Sequence, residues 1–163
     1  MGFESFQVVL RGGTAPAREV AETLRGLPHL KLDEQSHPLP GPTYYLRADG
    51  QHVIEIELDD CSPVRVSCRF TLCHPPSVDA AFLALIRELM ACFGMEATIC
   101  DDVRPEHAHS FSLANYAELE AATLGYIAAR RVEWIAVFGG QQLPATTSEV
   151  YGQIILPLCQ LVR

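Results

Sequence analysis

The residues best suited to chemistry in this chain are cysteine, histidine and aspartate, and they gather in a few short stretches. In "RVSCRFTLCHPP", Arg65 to Pro76, the residues Cys68, Cys73 and His74 lie within seven positions. Thiolate and imidazole are zinc ligands, and a thiolate beside an imidazole is also the nucleophile and base of covalent catalysis. In "PEHAHS", His107 and His109 stand two apart, close behind Asp101 and Asp102. An extended backbone points both imidazoles of a His-x-His to one side, which suits Zn²⁺ or Ni²⁺.

Spacing argues against most of this chemistry. From Arg65 to Cys73 the alternation is unbroken, with Val66, Cys68, Phe70 and Leu72 on one side and Arg65, Ser67, Arg69, Thr71 and Cys73 on the other. Such a run reads as a strand, and successive strand residues face opposite ways. Cys68 and Cys73 therefore point to opposite faces and cannot share an ion without a bulge. Cys68 is expected in the core. Pro75-Pro76 then end the strand. A following helix N-terminus would lower the pKa of Cys73, but adjacent residues at a strand end point apart, and no glycine-rich elbow is present. Cys61, Cys73 and His74 would form a metal set only if their loops converged. Gly12-Gly13 and Gly139-Gly140 match neither a dinucleotide fingerprint nor a P-loop. His107 and His109 lack a third ligand at diagnostic spacing. They remain the metal-site alternative, and no cofactor is expected.

Acidic pairs are the other feature. Asp59-Asp60 and Asp101-Asp102 each follow a strand-like run. If those strands end at the same edge of a sheet, four carboxylates converge into a surface for a basic protein partner. The formal charge of −8 is in keeping with that partner. It argues against nucleic acid and anionic membrane, which both require clustered positive charge.

The elements that must position these residues follow from periodicity. Ser5 to Arg11 alternates as a strand and stops at Gly12-Gly13. Thr14 is placed to cap a helix over 15–27, with Val20, Leu24 and Leu27 near helical spacing. The stretch 29–42 carries three prolines and reads as an irregular connection with one short strand. Thr43 to Ala48 and His52 to Asp59 form a hairpin about Asp49-Gly50. In its second strand Ile54, Ile56 and Leu58 face the core while Glu55, Glu57 and Asp59 face outward. Cross-strand ion pairs are expected between Glu55 and Glu57 and the outward Arg65 and Arg69. Ser77 is placed to cap the clearest helix, whose stripe is Val78, Phe82, Leu85, Ile86, Leu89, Met90 and Phe93, with Gly94 as its stop. A short strand spans Glu96 to Cys100. Helical patterning then runs from Ser112 to Phe138, weakest at Gly125, with Tyr126, Trp134 and Phe138 read as core. A last helix over 147–156 is signalled by the Thr146/Glu149 capping box.

These elements predict an α+β fold. Its mostly antiparallel sheet has about five strands in a ferredoxin-like, split βαβ variant, followed by two C-terminal helices. The expected division is a sheet core over 1–103 and a helical extension over 104–163 packed on the same domain. The N-terminus lacks the apolar core of a signal peptide, and no apolar run is long enough to span a membrane. The chain reads as cytoplasmic, so its six cysteines are expected to be reduced. The function expected is non-enzymatic protein binding, of the bacterial inhibitor or immunity type, through Asp59, Asp60, Asp101 and Asp102. The alternatives are a small-molecule sensor, with ligand held between sheet and helix, and a metal-dependent hydrolase using His107 and His109.

Overall fold

The computed structural model describes residues 5–27, 30–33, 43–48, 52–72, 76–100 and 109–138. The Asp49-Gly50 turn, Cys73-His74 and the last helix expected over 147–156 lie outside the described residues.

Seven strands form one sheet: β1 (Ser5–Arg11), β2 (Leu30–Asp33), β3 (Thr43–Ala48), β4 (His52–Asp59), β5 (Arg65–Thr71), β6 (Glu96–Cys100) and β7 (Ser110–Phe111). Their order is β2-β3-β4-β5-β1-β6-β7, with every neighbouring pair antiparallel. The five strands expected from periodicity are contiguous within it, from β3 to β6. Of the two short edge strands, β2 falls in the stretch 29–42 where one short strand was expected, and β7 was not expected.

Side-chain alternation fixes which face each strand buries. Phe6, Val8 and Leu10 of β1, Ile54, Ile56 and Leu58 of β4, and Val66, Cys68 and Phe70 of β5 are all buried in one core cluster. The register sets these residues side by side: Val8 lies opposite Cys68, Cys68 opposite Ile56, and Leu10 opposite Val66. A single-residue slip of β5 would turn its whole apolar set to the other face, which is why the register is strongly specified.

The helices are α1 (Ala17–Gly26), α2 (Pro76–Phe93) and α3 (Tyr116–Phe138), the last entered through a 3-10 turn at Leu113–Asn115. All three contribute to the same core cluster, through Val20 and Leu24 of α1, Phe82 and Ile86 of α2, and Leu119 and Ile127 of α3. Phe6 marks where they meet. Its ring centroid lies 6.0 Å from that of Phe70, 5.8 Å from Phe82 and 5.4 Å from Tyr126. Phe70 and Phe82 are 4.7 Å apart. These contacts place α2 and α3 on the face of the sheet that Phe6 occupies.

Helix starts differ from the sequence expectation for one reason, proline. Thr14 does not cap α1. Pro16 is the N-cap, with φ −71° and ψ 155° and no side-chain cap bond. Proline disfavours helical torsions in the residue before it, so Ala15 cannot begin the helix. Likewise α2 begins at Pro76 rather than after Ser77, since proline suits the first helical position, where no N–H is needed. The stop at Gly94 is as expected. Its φ is 64°, and its N–H donates to the Met90 carbonyl at 2.9 Å. Gly125 does not break α3. Its cost of about 1 kcal/mol is outweighed by the buried Leu119 and Ile127 on one side of the helix. Of the two C-terminal helices expected, α3 with its entering turn is the first; the second lies outside the described residues.

Among the described residues, no helix is long and apolar enough to cross a membrane.

Candidate functional site

The face of the sheet opposite the core carries the outward residues of β1, β4, β5 and β6, which the antiparallel registers assemble into rows. Glu55, Arg69, Gln7 and Cys100 form one row; Glu57, Ser67, Val9 and Thr98 the next; Asp59, Arg65, Arg11 and Glu96 the third. Along β4 the three carboxylates stand at every second residue, and Asp60 follows, exposed, where the strand ends. Three acids are thus presented in line by one strand, with a fourth at its exit.

Each carboxylate meets different surroundings. Glu55 accepts two bonds from Arg69 Nη2, at 2.9 Å to Oε1 and 2.8 Å to Oε2. Asp59 pairs with Arg65 at 3.2 Å. The register sets Glu57 opposite Ser67 rather than opposite an arginine. Ser67 is in turn the acceptor of a bond from Gln7 Nε2, at 2.6 Å. Partial burial, and then the negative charge of Glu55, push the Glu57 carboxyl above the ordinary range. Arg69 opposes this, a hydrogen bond with Glu55 adds to it, and Arg65 opposes it more weakly.

The two strands that the singled-out aspartate pairs follow, β4 and β6, do not end at the same edge. The row that ends β4 at Asp59 is the row that begins β6 at Glu96. Two strands intervene, and β6 runs opposite to β4. Its last residue, Cys100, lies four residues up the sheet, opposite Gln7, or about 13 Å along the strand. The convergence that would have joined Asp59-Asp60 to the pair after β6 is therefore corrected: the two strands end at opposite ends of the sheet. Asp101 and Asp102 themselves lie outside the described residues. The acid that does share the row of Asp59 is Glu96, which accepts a bond from Ser110 Oγ at 2.6 Å.

Of the histidine pair, His109 is exposed just before β7, and His107 lies outside the described residues. No group of three or more His, Cys, Asp and Glu side chains able to hold a metal occurs among the described residues. Cys68 is fully buried and its thiol is pushed far up by desolvation, in line with its reading as core. Cys61 is exposed and donates to the Pro63 carbonyl at 3.0 Å.

Sequence reasoning missed the Gln7–Ser67 bond and the buried state of Val9 and Ser67 on this outer face. Their parity marks them as outward, and parity alone does not report burial. It also missed the ion pair of Asp79 and Arg131, 52 residues apart. The signal in that case was only an aspartate within an apolar helix stripe. Comparison with protein-family models, with curated proteins and with solved structures finds no match.

Proposed function

We propose that this chain is a non-enzymatic, cytoplasmic protein-binding domain that meets a basic partner surface through the outer face of its sheet. The supporting observation is the line of carboxylates along β4, Glu55, Glu57, Asp59 and then Asp60. The first three stand on the face away from the core that all three described helices share, and Asp60 is exposed at the exit of the strand. Charge on such a face steers association and selects partners of opposite sign more than it adds raw affinity. The arginines of β5 neutralise Glu55 and Asp59 locally, so Glu57 and Asp60 are the acids left to a partner. Asp101 and Asp102, outside the described residues, stay in the proposal only as further acidic contacts.

In the same reading, β4-β5-β1-β6 is a split βαβ core of ferredoxin-like type. Strands β1 and β4 run parallel with β5 between them, and β2, β3 and β7 are additions at the edges. Small acidic domains of this build suit the role of inhibitor or immunity partner. The sensor alternative is less favoured, because Phe6, Phe70 and Phe82 fill the space between sheet and α2 where a ligand would lie.

The test is affinity capture from the native host with wild type and with a Glu57→Lys/Asp60→Lys variant, at low and high salt. A partner recovered by wild type should be lost with the variant and weakened as salt rises. Capture indifferent to both changes rejects this face.

A further inference from the structure

We draw no further inference here: the strongest candidate, the exposed apolar stripe of α3 formed by Leu124, Val132 and Ile135, carries nothing because nothing in the structure shows what covers it.

Discussion

Arg131 of α3 grips Asp79 of α2 with both ends of its guanidinium, Nη1 to Oδ2 at 2.6 Å and Nη2 to Oδ1 at 2.8 Å. Its Nε also donates to the Leu72 carbonyl just after β5, at 3.2 Å. One side chain thus ties together α3, α2 and the end of a central strand. Asp79 is almost fully buried, its side chain 7% exposed, and Arg131 is 22% exposed. Removing one partner leaves a charge stranded, so Arg131→Met should destabilise the fold by about 3 kcal/mol. Adding Asp79→Leu should restore much of that loss, because no buried charge then remains. Urea denaturation of the single and double variants measures both. A double variant no better than the single would assign the effect to the Leu72 contact instead.

Gly13 is held where no other residue fits. Its φ is 78°, and a Cβ there would overlap the backbone carbonyl oxygen of Phe93, at the end of α2. Gly12 has φ 90° but open space around it. Gly13→Ala therefore meets both torsional strain and a backbone clash, whereas Gly12→Ala meets strain alone. The first should cost more than the second, which should fall near the 1–3 kcal/mol typical of a forced backbone, roughly. Thermal melts of the two variants compare them directly. Equal losses would show that the β1–α1 turn can move away from α2.

What the sequence made legible was the parity of single strands and the phase of single helices. Val66, Cys68 and Phe70 alternate without interruption, and each is buried. Val78, Phe82, Ile86 and Leu89 recur at helical spacing and pack as that spacing requires. What could not be read was how separate elements meet. The opposite ends of β4 and β6 depend on β5 and β1 lying between them, and no local pattern records an order set by long-range pairing. The two-residue strand β7 is too short to show a period. Glu57 faces Ser67 rather than an arginine because of a register that spans two strands, although its outward parity was plain. The candidate site was thus half legible: the line along β4 was visible, and its separation from the end of β6 was not.

Thiol chemistry should sort the cysteines by environment. Cys61 and Cys92 are exposed, whereas Cys68 is buried between β1 and β4. Reaction needs the thiolate and access to it. Desolvation pushes Cys68 far above the ordinary thiol range and burial denies access. On native protein, an aromatic disulfide reagent followed by peptide mapping should label Cys61 and Cys92 rapidly and leave Cys68 unlabelled until denaturant is added. Prompt labelling of Cys68 under native conditions would mean that the sheet opens locally at its centre.

Glu57 should write a specific pH dependence into stability. Its carboxyl is raised above the ordinary 4.5 by partial burial first and by Glu55 second. The native state therefore holds this proton more tightly than the unfolded chain does. Between the ordinary value and the raised one, the native state binds more protons, so stability must fall as pH rises through that window. The contribution of Glu57 is fully present below the ordinary value and gone above the raised one. Glutamine keeps the shape and removes the titration. The melting temperature of Glu57→Gln minus that of wild type should therefore grow more positive as pH is taken from about 4 toward 7, and then level off. Using the difference cancels the carboxylates common to both proteins that do not interact with Glu57. A difference that stays flat with pH would show that Glu57 is as well solvated in the native sheet as in the unfolded chain. A difference that becomes more negative would show that Arg69 and Arg65 outweigh burial and Glu55, reversing the balance of charge on this face.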